Sequence, residues 1–297
     1  MTYSYTTLEQ MRVEAVSQAG TEPTDATKLA TYYANLTQYG ITASGVIDRL
    51  KNTTFAPLVA SRVTDRTNDR VISSSKMFLG QPLLELTSVT LPDDTTPTVG
   101  TDIRAELVSV SPKRWLKMMT TSYSFNTTSG TLVDDITVTG VWGWHSDYDN
   151  AWISSGDTVK DAAGISASET TITVTDVDGA GGLGFTPRFS AGNLIKIESE
   201  YCSIVSTNTT TQTMVVVRGV RGSTAASHAL GTAISVFVPD DAIIRATTKL
   251  AVFMYTARGS AAQVSFETIR TNPNNVTALS EVLTLLDNYQ FIQFAGV

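Results

Sequence analysis

Residues 214–236, MVVVRGVRGSTAASHALGTAISV, set a Ser-Thr pair and one of the chain's two histidines between glycines. Ser223, Ser227 and His228 have the residue types of a nucleophile and its base. Nucleophile and base normally come from separate elements that converge in space. Here they share one short stretch, and no G-x-S-x-G elbow occurs. The expectation is a turn between two strands. GAGGLG at 179–184 matches the dinucleotide spacing G-x-G-x-x-G letter for letter. That chemistry needs a helix whose first N–H groups face a pyrophosphate. FTPRF follows instead, and Pro187 spoils the helix, so a flexible loop is expected. His145 in WGWHSDYDN has Asp147 and Asp149 beside it, an imidazole and two carboxylates of the kind that ligate a metal. No further histidine is near, and such residues also serve loops that bond their own backbone. Asp134–Asp135 reads as the approach to a strand, and Asp240–Asp241 as a helix cap. Cys202 alternates with apolar neighbours in YCSIV and reads as a strand residue. The sequence therefore implies no catalytic, cofactor or metal site, and a protein that is not an enzyme.

At 297 residues the chain has the length of two domains, or of one domain carrying a large insertion. A hydrophobic content of 42% with 16% charged residues is that of a folded chain. No apolar run approaches the roughly 18 residues that a membrane helix needs. The first residues, MTYSYTTLEQMRVEAV, lack the basic region and apolar core of a secretory signal. With one cysteine, no internal disulfide is expected. A net charge of −7 argues against a protein that grips nucleic acid by its phosphates, an affinity that comes from clustered Lys and Arg. It leaves open a protein past which DNA slides. Asn-x-Ser/Thr sequons begin at Asn35, Asn52, Asn126, Asn208 and Asn275, as chance provides in a threonine-rich chain.

The elements that position these residues follow from periodicity. Thr7 with Gln10 forms a capping-box start, and Leu8, Met11, Ala15 and Val16 fall on one helical face before Gly20. A second helix is expected from Thr24 to Gly40, burying Leu29, Tyr32, Tyr33 and Leu36, and a short third one over 44–51. Strand alternation marks 83–91, 103–110 and 134–144. A second β-rich block runs from about 150 to 238. Helices then return: one from Pro239, with a stripe of Ile243, Ala246, Leu250, Phe253 and Ala257 closed by Arg258 and Gly259, and one from about Val276 with Leu279, Val282, Leu283 and Leu286. The predicted fold class is α+β: a helical body with a β-sheet region, comprising 1–150 plus 239–297, and a small antiparallel barrel- or sandwich-like β domain at 151–238 inserted into it.

The segment 193–236 resembles a module widespread in structural proteins of tailed phages, in which an I-I-E-x-E strand pair leads to V-x-RG-x-x-GT-x-A-x-x-H-x-x-G-x-x-V. The matching residues are Glu198, Glu200, Arg218, Gly219, Gly222, Ser223, Ala225, His228 and Gly231, with Ser223 where Thr is usual. In that pattern the glycines permit positive φ, and Arg218 and His228 tie the loop down. LLELTSVTL after TDRTNDRVI, then ITVTGVWGWHS, then VPDDAIIRATTKLAVFMYTAR together resemble the head–tail connector (adaptor) proteins of long-tailed phages. In that family the two last motifs stand almost adjacent, whereas here the 151–238 block separates them. The resemblance implies a structural virion protein at the head–tail interface. It would form a ring, commonly a dodecamer, that docks on the portal protein, offers a platform to the next tail or connector ring, and lets DNA pass through its lumen without specific binding. It implies no cofactor and no membrane. The family's C-terminal segment often reaches into the portal, which here makes Tyr289, Phe291, Ile292 and Phe294 the anchors. The alternative is another tail, baseplate or decoration β-protein that binds host glycan through Trp142, Trp144, Tyr148 and Trp152, aromatics of the kind that stack on sugars.

Overall fold

In the computed structural model, which describes residues 3–64, 71–106, 110–126, 136–182, 184, 186–257 and 277–289, a capping box opens the first helix. Thr7 Oγ1 accepts from Gln10 N at 3.2 Å, and Gln10 Oε1 accepts from Thr7 N at 2.9 Å. Two amides that the first turn leaves unpaired are thereby satisfied, and α1 (Leu8–Ala19) starts there. Met11 and Ala15 are buried, but Val16 is 42% exposed, because it points a full 100° around the helix from Ala15. The second and third expected helices are one, α2 (Ala26–Lys51), capped by Asp25, whose carboxylate accepts from Lys28 N at 3.0 Å. Gly40 does not stop it. A Cβ there would lie 2.9 Å from Ser4 Oγ and 3.0 Å from the Met11 side chain, so this glycine serves close packing. The helix ends instead at Asn52, whose φ of 49° is left-handed.

Residues 53–149 form one compact unit. Its strands are β1 (Leu58–Thr64), β2 (Val71–Ser73), β3 (Lys76–Thr90), β4 (Ile103–Ala105), β5 (Lys113–Met118) and β6 (Ile136–Trp142). They make an antiparallel sheet in the order β1-β6-β3-β5-β4, with β2 folded back on β3. The strand expected at 83–91 is the second half of β3, and the one at 103–110 is described only as the short β4. Met77, Leu83, Val89, Leu116, Ile136, Val138 and Trp142 are among its buried core. β6 crosses β3 so closely at Gly140 that a Cβ would stand 2.2 Å from the Glu85 carbonyl oxygen.

Residues 1–52 and 150–289 form the other unit. Here β7 (Trp152–Thr158), β8 (Thr171–Thr173), β9 (Leu194–Ile197), β10 (Glu200–Asn208), β11 (Thr213–Val217) and β12 (Ala233–Phe237) make an antiparallel sheet in the order β7-β12-β9-β10-β11-β8. Its core of Val159, Ile172, Ile195, Ile197, Cys202, Ile204, Met214, Val216 and Ile234 is drawn wholly from the block itself. α3 (Asp241–Ala257) and α4 (Thr277–Leu286) follow. Ile243, Ala246 and Leu250 of α3 are fully buried, as are Val282 and Leu286 of α4.

The chain is thus a mixed α and β protein. Its compact units divide it differently from the sequence reading, which set 151–238 apart from 1–150 plus 239–297. The block groups with the four helices, and 53–149 stands as the second unit. The physical reason is the N-terminal segment, where Ser4 N donates to the Gly192 carbonyl at 2.8 Å and the Arg221 guanidinium lies 5.1 Å over the Tyr3 ring. Within that unit, the block's first and last strands are neighbours, with Trp152 opposite Phe237. Asp134, Asp135, Arg258, Gly259 and Asn275 lie outside the described residues.

Candidate functional site

The polar residues of the 193–236 segment meet at one carboxylate. Ile197 and Glu200 close a tight hairpin between β9 and β10, with Glu198 at a φ of 53° in the turn. That turn points the Glu200 side chain inward, where it is fully buried. Arg218, just after β11, grips it bidentately: Nε donates to Oε1 and Nη2 to Oε2, each at 2.7 Å. Oε1 also accepts from Gly219 N at 3.0 Å and from Cys202 Sγ at 3.3 Å. Oε2 also accepts from Ala226 N at 3.0 Å and meets His228 Nε2 at 2.9 Å. The other histidine nitrogen, Nδ1, lies 2.8 Å from the Glu198 carboxylate. Arg218 Nη1 reaches on to the carbonyls of Ser166 at 2.9 Å and Glu169 at 2.7 Å. Burial alone would raise the Glu200 carboxyl, but the donors from Arg218, Ala226 and His228 hold it down to about 2. Burial, and then Glu200, push the Cys202 thiol up to about 12. Such a thiol is no nucleophile.

The loop's backbone is built for this. Gly219, Gly222 and Gly231 take φ of 59°, 76° and 86°, the left-handed region that costs glycine least. Ser223 is also consumed by the loop: its Oγ accepts from Tyr201 N at 2.8 Å and donates to the Val220 carbonyl at 2.8 Å. With both His228 nitrogens on carboxylates and Ser223 on backbone, the arrangement clamps a loop and offers no acid–base pair.

A second buried carboxylate, which the sequence reading missed, sits at Asp157 in β7. It accepts from the amides of Thr158 at 2.7 Å, Thr175 at 3.0 Å and Asp176 at 2.9 Å, and from Arg188 Nη1 at 2.8 Å. Burial works to raise this carboxyl, and the Thr175, Thr158 and Asp176 amides win, holding it below the usual range. Arg188 also donates to the carbonyls of Ala180 and Asp176, pinning the 179–184 loop. A Cβ on Gly182 would stand 2.0 Å from the Ser154 carbonyl, so this glycine lets the loop lie on β7. The one signal in sequence was an Arg after Pro187, which propensity does not pair with a distant Asp. A cavity of about 430 Å³ lies beside this loop, lined by Thr6, Gln10, Ser154, Gly182, Phe237 and Ile244 among others.

The other candidates are buried or packed against neighbouring side chains. His145 is buried, its Nδ1 accepting from Asp147 N at 3.0 Å and its carbonyl from Ser111 Oγ at 2.7 Å. Among the described residues no His, Cys, Asp and Glu side chains gather in a group that could hold a metal. No helix among them is long and apolar enough to cross a membrane. Trp142 is buried and donates from Nε1 to the Ala60 carbonyl at 2.9 Å, and Trp144 is buried too. Trp152 stacks on Tyr201 with ring centroids 5.1 Å apart. Tyr289 is half-buried; burial first, and then hydrogen-bonded Asp240, push its phenol well above the usual value. Phe291, Ile292 and Phe294 lie outside the described residues. No family model matches the chain, and no curated protein or solved structure matches it either.

Proposed function

We propose that the chain is a structural virion protein, a head–tail connector subunit that assembles as a ring on a portal, extends the DNA channel and receives the next tail ring. The observation that carries the reading is the Glu198-to-Gly231 module: its charged side chains and glycines match the phage pattern residue by residue, and all of them are spent on holding a loop. The neighbouring positions of β7 and β12 support it, since a block whose ends meet can interrupt a shorter parent chain. Tyr289 is hydrogen-bonded to Asp240, and on this reading the portal anchors are Phe291, Ile292 and Phe294.

The test is a pull-down with negative-stain imaging against the portal protein of the same phage, using the full chain and a version ending at Tyr289. A ring added to the portal by the full chain alone is the expected result. Binding by neither version would reassign the protein to a tail, baseplate or decoration role.

A further inference from the structure

The 53–149 unit carries a row of cations on the outer face of its sheet. In an antiparallel pair, directly opposed residues project from the same face. Lys76 of β3 is opposite Lys117 of β5, and Lys117 is opposite Arg104 of β4, so three cations stand side by side across three strands. The other face bears Met77, Leu116, Met118 and Ile103, all buried in the core. Lys117 is exposed, and Lys76 and Arg104 are half-buried. Strand separation of about 4.8 Å makes the row roughly 10 Å long.

Among the described residues no ion pair includes Lys76, Arg104 or Lys117. Arg104 Nε is buried and has no hydrogen-bond partner among them. The carboxylates flanking Arg104 in sequence are turned to backbone: Asp102 accepts from Thr98 N at 3.0 Å, and Glu106 accepts from Arg114 N. The Lys76 ammonium lies 4.7 Å from the Trp115 ring and 5.4 Å from the Phe78 ring. Those rings hold the ammonium in place and are capped by it. Like charges placed directly opposite destabilise a sheet, so the row is a standing cost that a polyanion would relieve.

We infer that this row is a sequence-independent contact surface for the phosphate backbone of duplex DNA. A line of cations across neighbouring strands is complementary to a line of phosphates. Rings capped by a lysine are not offered to unstacked bases, which sets duplex above single strand. The overall charge of −7 keeps such a contact weak and easily moved along. The inference stands on the sheet alone and does not depend on the connector reading.

Fluorescence anisotropy of a labelled duplex with the full chain tests it. With three phosphates neutralised, log K should fall against log salt with a slope of about −2.7 between about 50 and 200 mM. Lys117→Gln should flatten that slope by about one and Lys76→Gln/Lys117→Gln by about two, with severalfold losses in affinity and a cooperative melting transition retained. A duplex of scrambled sequence should bind equally. Lys117 is exposed, so the single variant remains informative if the double variant misfolds. The inference is overturned by equal binding of wild type and Lys117→Gln, or by no binding at about 50 mM salt. Displacement of duplex by polyglutamate as well as by unlabelled duplex would overturn it too, assigning the surface to an acidic protein.

Discussion

Glu200 has given up its hydration for donors from Arg218, His228, Cys202 and two loop amides, and its worth is measured by what happens when one is removed. Arg218→Ala strands a buried charge, which costs roughly 3–5 kcal/mol, and chemical denaturation should register a loss of that size. Arg218→Lys should recover only part of it, because an ammonium cannot make the bidentate grip. The same site sets an acid response. Its carboxyl is held at about 2 against an ordinary 4.5, so its stabilisation is complete above the ordinary value and drains away as pH falls toward about 2. The stability gap between wild type and Glu200→Gln should therefore be constant near neutrality and narrow across that window. Cys202, with its thiol pushed up to about 12, should resist a thiol reagent at mildly alkaline pH until denaturant is added.

At the scale of elements, glycines decide where surfaces touch. Gly140 faces the Glu85 carbonyl at a distance no side chain can share, and backbone cannot swing aside. Gly140→Ala should cost about 1–3 kcal/mol in denaturation. Periodicity made the helices legible: the capping box, the α3 stripe and the strands of the 150–238 block are local patterns. Gly40 misled because a glycine that admits a neighbouring helix looks, in one dimension, like one that ends its own. β5 stayed hidden because three of the six residues of KRWLKM are cations, a composition that strand propensity does not favour. The loop clamp was half visible: Arg218, His228 and the glycines stand in the pattern, whereas Asp157 with Arg188 is a pairing across 31 residues that only the folded sheet creates.

For the molecule as a whole, the block's core is self-supplied and its two terminal strands pair with each other. Excised as residues 150–238, it should unfold cooperatively on heating, with a resolved near-ultraviolet signal from Trp152 stacked on Tyr201. A molten chain would instead show that the helices are needed to complete it. The facing of Trp152 and Phe237 also carries a genealogical consequence. A stretch that leaves and rejoins its path at nearly one point can be gained or lost in descent with a short join at the breach, and here its loss would also forfeit the Ser4–Gly192 bond and the Tyr3–Arg221 contact.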